Sequence, residues 1–400
     1  MARNSRPPLT WSVESQAVHA GESGYRLAPA STSTPIFMTS SFHYDTADEL
    51  ERVLANEEPG FVYTRYGNPT TRAFETAVAQ LEHTDDALAF SSGMAAIFAA
   101  LALCVSAGTT VVASRDIYGA SFSVLRDHFQ KLGVTPLFVD ITDLKEVASS
   151  VAQHQPCAIL AETISNPLLR VADIRALAKI AHASDAKLLI DNTFATPLLV
   201  MPCELGADMS IHSSTKYIGG HGDLTGGVIA ASADLIAGLR EQSKMLGAIP
   251  SPMDAWLSLR GIKTLPLRFE RQCTSAKIIA DALREDSRFA NVLYPDHGSA
   301  PEGQFLTAHR GAMVSFEVKH ADREKVFRLL SELKLVVPAT TLGDVFSLML
   351  YPAMASHRAL TPEERQSIGI SDQLVRLSVG IESPRDILED VRQAVSRALE

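Results

Sequence analysis

The sequence predicts an α/β architecture, with a mostly parallel sheet covered by helices on both faces and a smaller α+β unit after it. Three observations carry this reading. From about Arg72 to Gly261, short continuous apolar runs alternate with helical patterns, as expected of strands buried on both faces. Beyond Gly261 the alternation stops and a long helical pattern takes over. The chain has 400 residues, 46% of them hydrophobic and 20% charged, enough for a large shared core.

The first 65 residues read as an extended N-terminal arm, rich in Ser, Thr, Pro and Gly around Pro29–Ser41. Ile36, Phe37, Phe42 and Tyr44 are apolar anchors that a disordered tail would rarely carry. Residues 66–262 carry the alternation. The expected strands are Ala87–Phe90, Thr110–Ala113, Leu137–Val139, Ala158–Ala161, Leu188–Ile190, Met209–Ile211 and Val228–Ala230. Helical patterns between them include Thr71–Leu81, Met94–Ala107 and Ile174–Ala183. Residues 263–400 open with a helix near Leu265–Leu283. Strands near Ala312–Phe316 and Val375–Leu377 follow, and then a terminal helix from Pro384.

Composition excludes several classes. A net charge of −10 argues against a nucleic-acid partner, because such proteins concentrate Lys and Arg. No apolar run is long enough to span a bilayer and Met1–Glu14 has no signal-type core, so a soluble cytoplasmic protein is expected. Cys104, Cys157, Cys203 and Cys273 form no CxxC pair, which fits a reducing compartment and small buried side chains. His212 and His221 lack metal-ligand spacing, so no metal site is expected.

Ligands in parallel sheets bind at the carboxyl ends of the strands, so the residues there matter most. Ser91-Ser92-Gly93-Met94 follows the first strand and opens a helix, a turn suited to phosphate because helix N-termini present free N–H groups. It is not a GxGxxG fingerprint, and ordinary strand-to-helix turns also contain Ser and Gly. Asp191 ends a strand, where a carboxylate either caps Asn192 or Thr193 or serves as partner to a protonated pyridine nitrogen. Lys216 lies in Ser213-Ser214-Thr215-Lys216-Tyr217-Ile218-Gly219-Gly220-His221-Gly222-Asp223. Most lysines are solvated surface charges, but one between hydroxyls and a Gly-rich turn can have a lowered pKa and form an imine.

Taken in order, these segments resemble the Cys/Met-metabolism family of pyridoxal-phosphate enzymes. The resemblance runs from about Thr34 to the C-terminus and includes Tyr63-Thr64-Arg65-Tyr66-Gly67-Asn68-Pro69-Thr70, Ser92-Gly93-Met94, Asp191-Asn192-Thr193 and Arg376-Leu377-Ser378-Val379-Gly380. It implies the fold type I architecture, with a seven-stranded, mostly parallel sheet, and pyridoxal 5′-phosphate as cofactor. Lys216 is then the Schiff-base lysine and proton shuttle, Asp191 the partner of the pyridine nitrogen, and Tyr118 the aromatic that stacks on the ring. Without the resemblance, Tyr118 would read as a core aromatic. Gly93, Met94, Thr193, Ser213 and Thr215 match cofactor-binding positions, and Tyr63 and Arg65 match residues that reach the phosphate of a neighbouring subunit. A homo-oligomer, a dimer of dimers with shared sites, is implied. Arg376, Asn166, Ser347 and Phe346 match substrate-binding positions, with Arg376 as the clamp on the α-carboxylate.

Four departures bear on specificity. Phe346 stands where cystathionine-handling relatives often carry an acid, and Ser123 near where some carry an arginine. A buried distal charge without a partner is costly, which disfavours cystathionine and O-succinylhomoserine. The chain is most similar to methionine γ-lyase around Tyr118–Leu125, His221–Gly227 and Leu360–Gly369. Yet Ala120 replaces a cysteine and Lys244 an acid. The resemblance therefore implies a γ-lyase acting on a methionine-like or γ-oxy amino acid such as canavanine. The alternatives are a γ-replacement enzyme (O-acylhomoserine sulfhydrylase or cystathionine γ-synthase) and a cystathionine γ-lyase. A cofactor-binding regulator is a further reading, which would need an added DNA-binding domain.

Overall fold

The computed structural model describes residues 11–22, 31–296, 301–358 and 360–400. The seven apolar runs are all strands: β1 (Asp86–Phe90), β2 (Thr110–Ser114), β3 (Thr135–Val139), β4 (Ala158–Glu162), β5 (Lys187–Asp191), β6 (Met209–His212) and β7 (Gly227–Ala231). They form one sheet in the order β1-β7-β6-β5-β4-β2-β3. Every pairing is parallel except those of β7, which runs antiparallel to both β1 and β6. Two core clusters cover the faces of this sheet. One contains Phe74, Leu188 and Phe269; the other contains Phe90, Leu160 and Phe129.

The helices start where capping chemistry directs them. Helix Pro69–Leu81 has Asn68 at its N-cap and Pro at its first turn. Helix Gly93–Cys104 has Ser92, whose hydroxyl accepts the Ala95 N–H. Asp173 accepts from Ala176 to start Ile174–His182.

A second sheet follows, built from β8 (Phe289–Leu293), β9 (Met313–Val318), β10 (Val337–Pro338), β11 (Leu348–Leu350) and β12 (Leu374–Ser378). Its order is β10-β11-β12-β9-β8, antiparallel except for β10 with β11. Helices Leu265–Arg284, Arg323–Glu332 and Pro384–Leu399 cover it, around a core that includes Phe316, Leu329 and Val391. Asp390, on the last helix, accepts the backbone N–H groups of Lys334, Leu335 and Val336, which fixes the chain as it enters β10.

The described residues among the first 65 include two helices. Helix Val13–His19 places Ala17 in the main core, and helix Ala47–Leu54 begins with a capping box of Thr46 and Glu49. Phe42 bridges Phe37, which precedes the second helix with it, to Phe61 beyond that helix, and Tyr44 bonds the backbone of Phe61. No described helix is long and apolar enough to cross a membrane.

The two sheets meet around the loop that follows β10. There Gly343 adopts φ +84°, and a Cβ on it would lie 2.6 Å from the Tyr217 nitrogen, so the loop packs directly on the segment carrying Lys216.

Candidate active site

The carboxyl ends of β1, β2, β4, β5 and β6 converge on a cavity of about 400 Å³. Each end delivers residues to it: Ser92, Gly93 and Met94 after β1, Tyr118 after β2, Glu162 and Asn166 from β4, Asp191 and Thr193 from β5, and Ser213, Thr215 and Lys216 after β6. Arg376 of β12 closes the far side, with Thr340 and Leu342 from the inter-sheet loop.

Lys216 is mostly buried, and its amine donates to the Thr341 hydroxyl at 2.8 Å. Burial first, and then the Arg376 guanidinium, lower its pKa to about 8. Asp191 accepts the Thr193 N–H at 3.0 Å, so the capping role exists. Burial nevertheless lifts its pKa, although the Thr193 bonds and His212 oppose the shift. His212 in turn is paired with the buried Glu82 at 2.5 Å. His221 takes no part in this and bonds the Gly219 carbonyl within its own turn.

Arg376 is 2% exposed, and its pKa is lowered to about 10, chiefly by burial. One fork nitrogen donates to Asn166 Oδ1 at 2.7 Å and the other to the Thr341 carbonyl at 3.2 Å, while Nε has no partner. A buried guanidinium held by neutral acceptors is poised for a carboxylate.

The residues fit pyridoxal phosphate. Gly93 opens helix Gly93–Cys104, whose first N–H groups have no helical acceptor. A Cβ on Gly93 would come 2.8 Å from the Ser213 Cβ, so the two phosphate-side segments touch and only glycine fits. The Ser213 N–H is fixed by the Thr193 hydroxyl at 2.9 Å. Asp191 and Lys216 are both partly buried, and neither forms an ion pair among the described residues.

Four of the residues singled out by sequence lie outside the cavity. Arg65 lines a separate recess, and its guanidinium stacks on Tyr63 and Tyr66 at 5.4 and 4.9 Å. Tyr63 is 40% exposed. Ser347 is fully buried; its hydroxyl donates to Glu382 and accepts the Gly380 N–H, so it stands behind the clamp rather than in the cavity. Phe346 is 40% exposed and does not line the cavity either. Glu162 and Thr341, in contrast, were not singled out. A carboxylate ending a strand reads as a cap, and Thr341 joins Lys216 only through tertiary contact.

Fold and site together define a pyridoxal-phosphate-dependent enzyme of fold type I. Residues 14–396 match the family described as Cys/Met metabolism PLP-dependent enzymes, and the chain belongs to that family. It is 39% identical over 387 residues to an L-methionine gamma-lyase of Fusobacterium nucleatum subsp. polymorphum, covering 95% of this chain and 97% of the relative. It is 37% identical to a cystathionine beta-lyase of Lactococcus lactis subsp. cremoris, covering 96% and 99%. Among solved structures, a cystathionine gamma synthase from Xanthomonas oryzae pv. oryzae, in complex with aminoacrylate and cysteine, superposes with a TM-score of 0.90. Their identity is 36%, over 97% of this chain and 99% of that one.

Proposed function

We propose that this enzyme is a γ-lyase. It eliminates the γ-substituent of an L-amino acid, methionine-like or γ-oxy such as canavanine, and with water gives a 2-oxo acid or related product, ammonia and the leaving group. One observation carries the reading beyond the family. The carboxyl, amine and guanidinium groups of the lining are Glu162, Asp191, Lys216 and Arg376; Asp191, Lys216 and Arg376 serve the cofactor or the α-carboxylate in this proposal, and Glu162 bonds the Tyr118 and Asn166 backbone. Apart from the Asn166 amide, which braces Arg376, the rest of the wall is apolar or hydroxyl-bearing, including Ile97, Phe194, Leu350, Thr340 and Ser356. Such a wall favours a γ-substituent without a distal charge.

When bound, pyridoxal phosphate supplies the electron sink that makes the Cα and Cβ protons acidic. Asp191 would pair with its ring nitrogen, and Gly93, Met94, Ser213 and Thr215 would hold the phosphate. Arg376, braced by Asn166, grips the α-carboxylate and orients the Cα–H bond. The Lys216 amine, with its pKa near 8, accepts the Cα proton and moves it onward at neutral pH. Tyr118 lines the cavity and would cover the cofactor ring.

Tyr63 and Arg65, outside the cavity of their own chain, complete the site of a second subunit in this reading. The dimer is then the working unit, with the dimer of dimers as the full assembly. Incubation with methionine, O-acetylhomoserine and canavanine, with and without sulfide, tests the lyase reading. The expected result is 2-oxo acid from one of them without any thiol; product only with sulfide present would assign γ-replacement instead.

A further inference from the structure

Glu162 ends β4 in register with Asp191, which ends β5. In-register neighbours in adjacent strands project to the same face of a sheet, so the two carboxyl groups share one wall of the cavity. Glu162 is 7% exposed and makes two backbone bonds. Its Oε1 accepts the Tyr118 N–H at 3.0 Å, and its Oε2 accepts the Asn166 N–H at 3.1 Å. Asn166 then holds Arg376 at 2.7 Å. A single carboxyl group thus ties together the segment after β2, the segment after β4 and, through Asn166, the clamp on β12.

We propose that Glu162 is a positioning residue that keeps its proton at neutral pH, fixing Tyr118 and the Asn166–Arg376 clamp while leaving Asp191 the single anion on its wall. Two anions side by side in a buried wall repel strongly, and one of such a pair retains its proton. A protonated carboxyl still accepts on both oxygens, so both backbone bonds survive, and its O–H becomes a donor available to Asp191. The charged surroundings favour this state. Burial comes first, then Asp191 of β5 and Asp116 after β2, and together they hold Glu162 well above the usual carboxylate range despite the two backbone donors. Arg376 is the cation on the facing sheet, and it is engaged through Asn166. Asp116 is bonded to Ser114, and His357, which also senses Asp116, is pushed down to about 4, mainly by burial, and so brings no charge.

The inference rests on the roles proposed above for Tyr118, Asp191 and Arg376, but not on the identity of the leaving group. The test uses the cofactor-loaded wild type, Glu162→Gln and Glu162→Ala. The pH midpoint of the cofactor's visible band is measured, together with its dichroism and its spectral response to glycine, which has no γ-substituent. Glu162→Gln should leave the midpoint where it is, because one neutral group replaces another. Loss of an anion at that wall would lower the midpoint by about one unit, and that shift would overturn the proton assignment. Glu162→Ala, which removes both acceptors, should weaken glycine binding about tenfold or more and reduce the dichroism. Glu162→Gln, which keeps one acceptor, should fall between. Unchanged glycine affinity in both variants would overturn the positioning role. If Glu162→Ala fails to fold, Glu162→Asp takes its place and should shift both readouts in the same direction. Asp191→Asn and Arg376→Lys serve as controls; no effect in either would remove the earlier roles and this inference together.

Discussion

Lys216 and Arg376 owe their chemistry to the same cause, a charge placed where water cannot reach it. Because the Lys216 amine attacks only when neutral, and its pKa is lowered, apoenzyme should capture cofactor with a rate that rises with pH and is half-maximal near 8. An ordinary lysine would need about 10.4. Stopped-flow absorbance on apoenzyme checks this; a rate still climbing at pH 10 would contradict it. Arg376→Lys keeps the charge and loses the fork, so KM for the amino acid should rise about 10- to 100-fold, with a smaller effect on kcat. Steady-state kinetics on the best substrate decides it. Lys216 and Asp191 stood out in the sequence because residue type and position at or just after a strand end point to the chemistry, whereas Arg376, in the middle of β12, was named only by the family resemblance. Glu162 did not stand out, since nothing local separates it from a helix or turn cap. Ser347 misled for a related reason. Its partner Glu382 is 35 positions away, and only the packed fold shows that the hydroxyl is already engaged.

Elements were most legible where burial is two-sided. The seven strands of the large sheet stand out as apolar runs between helices, and their parallel order follows from the connecting helices. β7 is the exception, since the helix-free segment 213–226, which carries Lys216, returns it antiparallel beside β6. The second sheet was only partly visible. β10 is a two-residue exposed strand and β11 has three residues, too short for any pattern to register. β8 is only partly buried, with an irregular register against β9. What fixes this region is a side chain from elsewhere, Asp390. Asp390→Ala orphans three backbone donors and should cost about 2–3 kcal/mol, read from chemical denaturation. Its pKa is lowered in the fold: burial raises it, but the Val336, Leu335 and Lys334 bonds outweigh that. The stabilisation is therefore present above the unfolded carboxylate range near 3.9 and fades as pH falls through the lowered folded value. Gly93→Ala acts on another element: the added methyl must displace Ser213, and cofactor retention on dialysis should fall about tenfold.

At the scale of the whole molecule, the proposed shared site has a direct test. Arg65→Ala subunits keep Lys216, and Lys216→Ala subunits keep Arg65. Mixed dimers of the two, formed by refolding equal amounts together, contain one intact site each, so about a quarter of wild-type activity should return. No recovery, with mixing verified by tags, would place Arg65 outside the partner's site.

The hydrogen bond between Lys216 and Thr341 also has a meaning for biosynthesis. Its two ends are 125 positions apart in the chain, and the Arg376 clamp lies further on still. At 5–20 residues per second, roughly 6–25 s separate synthesis of the amine from synthesis of the hydroxyl that holds it. During that interval the lysine has neither its final neighbours nor its lowered pKa, and is a poor trap for an aldehyde. Loading is therefore a late event, timed by arrival of the second sheet, and a ribosome stalled before Thr341 would carry a chain that cannot yet colour.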